Sequence, residues 1–141
     1  MKDFLEGFAG EAMITLHLLA SGFSGWRLDK TYKLDHDVSM PSGFRLWMDA
    51  TSLLVASALD WHAPQCSSFS ILCHKQHQRK AANNFMGDTT ASFVRQGNDL
   101  MARSALGLLI AYLCDCIPVL DFSDLRCMAR PCDYTPVTTP L

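Results

Sequence analysis

The chain is predicted to be a single α/β domain with a Rossmann-like parallel sheet of about four to five strands and flanking helices. Short runs of strand character alternate with longer segments of helical spacing along residues 1–124. A hydrophobic content of 49% in 141 residues is enough for one core. Strands that alternate with helices are expected to pair in parallel through right-handed crossovers.

The first half of the chain predicts two strand and helix units. Residues 2–8 are a strand that ends in a glycine turn, and residues 12–23 have the apolar spacing of a helix, which Gly22 and Gly25 close. Residues 26–32 form a second strand with Asp29 at its end. A polar connection and the turn signal Pro41-Ser42-Gly43 precede an amphipathic helix over residues 44–55.

The second half predicts a further strand, a long helix and a last strand, over residues 59–63, 89–113 and 117–122. The polar, partly basic segment 67–88 is expected to be a mobile loop. Residues 125–141, rich in proline and threonine, are expected to be a disordered tail. The domain is therefore placed at residues 1–124.

Composition excludes some classes of function. A net charge of −2 gives the chain no general attraction for nucleic acid, so any such contact needs a local basic patch. Acidic residues near the start interrupt the apolar run that a secretory signal requires, so the six cysteines are expected to be reduced and an intracellular location is favoured. The longest apolar run, residues 105–114, has about half of the roughly 20 residues that a membrane span needs.

A glycine turn after the first strand is a candidate ligand site. Ligands of α/β sheets bind outside the carboxyl ends of the strands, where a glycine turn meets a helix N-terminus. Phe8-Ala9-Gly10 is placed there, and Asp29, about twenty residues later, is in the position that binds ribose hydroxyls. An ordinary turn without a ligand is the alternative.

A cysteine after the third strand is a candidate nucleophile. Ala63-Pro64-Gln65-Cys66-Ser67-Ser68-Phe69-Ser70 places Cys66 just beyond a proline turn. A thiolate is both a good nucleophile and a good leaving group. Cys66 is therefore expected to be the most reactive thiol, with Cys114 and Cys116 shielded at the end of an apolar helix. The alternative is a small buried apolar side chain.

Together these two motifs resemble those of DNA (cytosine-5) methyltransferases. Phe8-Ala9-Gly10-Glu11-Ala12 is similar to the family's Phe-x-Gly-x-Gly cofactor loop, with Ala12 at the second glycine, where its methyl is expected to crowd the cofactor. The segment around Cys66 is similar to Gly-Pro-Pro-Cys-Gln-x-Phe-Ser, with Gln65 at the second proline. The resemblance implies S-adenosylmethionine as cofactor, and the residues that it places around the cofactor are Phe8, Ala9, Gly10, Asp29 on the ribose, Asp37 on the adenine amino group and Pro64.

The resemblance also implies a catalytic pair and a nucleic-acid contact. Cys66 is expected to add to carbon 6 of a flipped cytosine, and Asp121 stands where the family has the glutamate that holds the cytosine ring. Lys75, Arg79 and Lys80 lie in the loop that would close over DNA or RNA. A strand-end aspartate and a solvated loop are the alternative interpretations of these residues.

The chain is too short for the last strands and the target-recognition region of such an enzyme. The prediction is therefore an incomplete class I methyltransferase fold. It is either an active enzyme or a catalytically inactive scaffold or interaction domain, with a sheet edge open to self-association or a partner chain. No metal site is predicted, because the spacing of cysteines and histidines fits no common zinc motif.

Overall fold

The computed structural model describes residues 1–64, 69 and 77–121. The described residues form four strands and three α-helices, with single 3-10 turns at Leu34–His36 and Ala81–Asn83. In chain order the elements are β1 (Lys2–Gly7), α1 (Met13–Ala20), β2 (Gly25–Leu28), α2 (Pro41–Ser52), β3 (Leu54–His62), α3 (Ser92–Leu113) and β4 (Ile117–Leu120).

The strands form one open, fully parallel sheet in the order β2-β1-β3-β4. This arrangement confirms the predicted α/β class with a Rossmann-like parallel sheet. The chain runs outward from β1 to β2 and then returns across β1 to β3. The carboxyl ends of β1 and β3 therefore form the point of reversal, where open sheets of this class bind ligands.

Two boundaries differ from the predicted ones for physical reasons. Strand β2 ends at Leu28, because the Asp29 carboxylate accepts the Thr31 N–H at 2.8 Å and so begins a turn. Helix α2 begins at Pro41, where proline suits the first helical position, and it ends before Leu54. Leu54 instead pairs with Lys2 and begins β3, several residues earlier than predicted.

Helices α2 and α3 pack together on one face of the sheet. Trp47 of α2 is fully buried there, and its ring makes edge contacts with Phe8 at 5.6 Å and Phe44 at 6.3 Å. Helix α3 approaches closely through small residues, since a Cβ at Gly107 would lie 2.9 Å from Cε1 of His62. Helix α1 covers β1 on the opposite face.

The core beneath α2 and α3 contains a polar pair. Asp60 and His62 are fully buried, and Oδ1 of Asp60 lies 2.8 Å from Nε2 of His62. The Thr51 hydroxyl of α2 donates to the other carboxylate oxygen at 3.2 Å. The sequence reasoning assigned no role to these residues, although polar residues at alternate positions of a buried strand share one face.

None of the helices in the described ranges combines the length and apolarity needed to cross a bilayer.

Candidate functional site

A cavity of about 250 Å³ lies at the carboxyl ends of β1, β2 and β3. Phe8, Gly10, Asp29 and Asp37 line it, and they come from three separate segments of the chain. Helix α3 closes one side with Leu100. The fold thus brings together four of the six residues that the sequence reasoning assigned to a cofactor.

The backbone of the turn between β1 and α1 is in a left-handed conformation at three residues. Phe8, Gly10 and Ala12 have φ angles of +61°, +50° and +55°. Glycine adopts this left-handed conformation freely, whereas each of the other two pays about 1–2 kcal/mol for it. Strain of this kind persists only where surrounding contacts fix the backbone.

Asp29 is one of the contacts that fix the turn. Its Oδ2 accepts the Gly10 N–H at 3.1 Å, and its Oδ1 accepts the Thr31 N–H at 2.8 Å. The Tyr32 hydroxyl donates to the Gly10 carbonyl from the same loop. An ionised carboxylate has about four lone-pair positions, so Asp29 retains capacity for ligand hydroxyls while it holds the turn.

Asp37 lines the cavity and uses one of its two carboxylate oxygens in a local turn. Oδ1 accepts both the amide and the hydroxyl of Ser39, at 2.9 and 2.6 Å. Partial burial alone would raise the pKa of Asp37, but the two Ser39 hydrogen bonds and the charges of Lys30 and Arg103 outweigh it and lower the pKa. Oδ2 accepts no hydrogen bond from the residues that the structure describes.

Glu6 is a residue that the sequence reasoning missed. It is only 5% exposed, and its Oε2 accepts the Thr15 N–H in the first turn of α1 at 2.7 Å. The carboxylate therefore occupies the position at which a helix N-terminus binds an anion. The signal in the sequence was an acidic residue directly after the apolar pair Phe4-Leu5, in the buried second half of β1.

Other predicted cofactor residues do not line the cavity. Ala9 and Pro64 are buried and are not among its lining residues. Ala12 is also fully buried outside the lining, so its methyl does not narrow the cavity. Asp121 directly follows β4, and its N–H donates to the His62 carbonyl at 2.7 Å, which places Asp121 at the same edge of the sheet.

The other predicted catalytic and nucleic-acid residues are only partly described. Cys66 and Lys75 lie outside the described residues. The Arg79 guanidinium lies 3.9 Å from the Phe69 ring centroid, and it donates to the Phe85 carbonyl at 2.7 Å. Burial lowers the pKa of the Arg79 guanidinium, and its contacts with Phe69 and Phe85 lie within the same segment of the chain. Lys80 is exposed and does not line the cavity.

The two cysteines near β4 differ in accessibility. Cys116 is buried as predicted, and burial, with the negative charge of Asp60, raises the pKa of its thiol. The prediction for Cys114 is wrong, because this residue is exposed where α3 ends.

Within the described ranges, no three histidine, cysteine or acidic side chains gather closely enough to hold a metal ion. Comparisons with protein-family models, with curated proteins and with solved structures found no match.

Proposed function

We propose that this chain is an S-adenosylmethionine-binding, methyltransferase-like domain and that the cavity at the carboxyl edge is its cofactor site. The observation that carries the proposal is the convergence of Gly10, Asp29 and Asp37 on one cavity at the point of reversal of a parallel sheet. The resemblance of the Phe8-Ala9-Gly10 turn to a methyltransferase cofactor loop names the ligand.

The lining fits the adenosine part of that cofactor. Ribose needs acceptors for its hydroxyls, which Asp29 supplies, and the adenine amino group needs an acceptor, for which Oδ2 of Asp37 is available. Phe8, Leu28 and Leu100 supply apolar surface for the base. When bound, S-adenosylmethionine supplies an electrophilic methyl group.

The size of the cavity also suits a nucleoside. Small-molecule sites commonly measure about 300–1,000 Å³. A cavity of about 250 Å³ lies just below that range, which suits the adenosine part of the cofactor.

The methyl acceptor in this proposal is a cytosine base of DNA or RNA. In this chemistry the Cys66 thiolate would add to carbon 6, carbon 5 would take the methyl group and then lose its proton to solvent, and the thiolate would leave as the ring double bond re-forms. Asp121 would hold the ring, and its position at the same sheet edge as the cavity supports this role. Lys75, Arg79 and Lys80 would contact the phosphates.

Calorimetric titration with S-adenosylhomocysteine tests the cofactor site. Asp37→Asn keeps an oxygen for the Ser39 hydrogen bonds but replaces the free acceptor by an NH₂ group. The affinity should fall about ten-fold or more, since a hydrogen bond to a charged group contributes about 1.5–3 kcal/mol. Asp29→Ala is less informative, because it also removes the acceptor of the Gly10 and Thr31 amides.

Asp35→Asn is the matched control. It removes the same charge from an exposed neighbour that does not line the cavity, so its affinity should equal that of the wild type. Absence of any binding by the wild-type chain, or equal affinities for Asp37→Asn and the wild type, would contradict the proposed site.

An interaction domain that kept the sheet without catalysis is the second candidate. Helix α1 exposes about half of each apolar side chain at Met13 (53%), Leu16 (50%) and Leu19 (49%), which favours a contact surface. The open edge at β4 is less suited to strand addition, because Pro118 has no N–H to donate. Sedimentation of the wild-type chain and of Leu16→Glu tests this candidate. If α1 mediates self-association, the wild type should sediment as a dimer and the variant as a monomer.

A further inference from the structure

One wall of the cavity is held by a contact between residues far apart in the chain. Asp37, Val38 and Ser39 form this 37–39 wall, and all three line the cavity. Arg103 of α3, 65 residues after Val38, donates from its guanidinium to the Val38 carbonyl. The same guanidinium lies over the Phe44 ring of α2, 5.4 Å from its centroid. Arg103 thus joins the 37–39 wall to both helices that cover this face of the sheet.

The 37–39 wall also packs directly on the start of α2. The Asp37 carbonyl accepts the Met40 N–H at 2.8 Å, just before the helix begins at Pro41. A Cβ at Gly43 would overlap the Asp37 carbonyl oxygen, so only glycine allows this close approach. The backbone of Asp37 is therefore attached to α2, and Arg103 adds the attachment to α3.

Arg103 acts on the site without being one of its lining residues. The side chain is half-buried, and a hydrogen bond from a cation is stronger than one between neutral groups. Burial raises the pKa of Asp37, but the Ser39 hydrogen bonds and nearby cations, Arg103 among them, outweigh it and lower that pKa. Arg103 therefore both holds the backbone beside Asp37 and favours the ionised form of its carboxylate.

We infer that Arg103 is a positioning residue for the nucleoside site. By fixing the 37–39 wall it sets the position of Oδ2 of Asp37, the acceptor proposed for the adenine amino group. This inference rests on the proposed function for the identity of the ligand. It adds a residue of α3 to a site whose other assigned residues precede or follow β1, β2 and β3.

Calorimetric titration with S-adenosylhomocysteine compares the wild type with Arg103→Met. Methionine keeps good helix propensity and an apolar contact with Phe44, but it cannot donate to the Val38 carbonyl. The affinity should fall several-fold, and by no more than the about ten-fold expected of Asp37→Asn, because displacing an acceptor removes at most what that acceptor contributes. Arg103→Lys keeps a charge and a donor but loses the planar group over Phe44, so its affinity should lie between the two.

A double-mutant cycle separates positioning from a general weakening of the fold. In the Asp37→Asn background the acceptor that Arg103 positions is already gone, so Arg103→Met should change the affinity there by less than about two-fold. A merely structural role would reduce the affinity by the same factor in both backgrounds. Arg95→Met is the matched control with unchanged affinity, because Arg95 is an exposed arginine of the same helix that donates to the Thr89 and Thr90 carbonyls and does not line the cavity.

The outcomes separate this inference from the proposed function. Equal affinities of Arg103→Met and the wild type overturn the role of Arg103 and leave the nucleoside site standing, as do additive losses in the cycle. An equal loss in Arg95→Met also overturns it, since the effect would then be one of net charge. Failure of the wild type to bind overturns the proposed function and this inference with it. Should Arg103→Met not fold, Arg103→Lys takes its place in the cycle and the same outcomes decide.

Discussion

Removal of the Asp60 carboxylate is predicted to be among the most destabilising single changes in the core. Asp60→Ala takes away the partner of both the His62 imidazole and the Thr51 hydroxyl, and all three residues are fully buried. Each stranded polar group costs about 1–3 kcal/mol. Breaking a buried pair from one side costs about 3–5 kcal/mol in total, so the free energy of unfolding should fall by that amount.

Urea unfolding followed by tryptophan fluorescence measures this loss, and Trp47, whose ring centroid lies 4.0 Å from that of His62, reports on the site directly. The triple variant Asp60→Leu, His62→Leu, Thr51→Val replaces the whole polar group by apolar side chains. It should recover more than half of the loss, because no polar atom is stranded. A loss below about 1 kcal/mol in Asp60→Ala would refute the reasoning, as would a triple variant no more stable than Asp60→Ala.

Three further predictions follow from other parts of the chain. Ser57 is exposed with a φ of +64°, so Ser57→Gly should raise the free energy of unfolding by about 1 kcal/mol, whereas Ala56→Gly beside it should lower it. Limited alkylation with mass mapping should label Cys114 well before Cys116, whose thiol is buried and has a raised pKa. Folding lowers the pKa of Asp37, so its ionised carboxylate stabilises the fold at pH values above its usual pKa of 3.8. This stabilisation is lost as the pH falls through the lower pKa of the folded state. The melting temperature of Asp37→Asn should therefore decline less than that of the wild type on acidification in this range.

The sequence predicted those parts of the fold that depend on the spacing of apolar residues close together in the chain. The apolar spacing after Gly10 gives α1, and alternation of strands and helices gives the parallel sheet. The start of β3 was missed, since Leu54 and Val55 continue the helical spacing of α2 and only pairing with distant Lys2 makes Leu54 part of a strand. Long-range pairing of this kind leaves no local signal.

The candidate site was predictable to a similar extent. Gly10 and Asp29 were found because their spacing is set by one strand, helix and strand unit. Asp37 reaches the cavity through the 3-10 turn at Leu34–His36, which lies in the polar connection that the sequence predicted after the second strand. The part played by Glu6 depends on the packing of α1 against β1, which the spacing of residues along the chain does not encode.

The departure from the methyltransferase pattern at Ala12 bears on stability more than on ligand access. Ala12 takes a left-handed conformation that glycine would adopt without strain, yet its methyl is buried against the fold and not in the cavity. Asp29 and Tyr32 hydrogen-bond to Gly10 and so hold this strained turn, whereas Glu6 holds the first turn of α1 that follows it. Because Asp29 also lines the cavity, a carboxylate that keeps the turn folded contributes to the charge that a ligand would meet there.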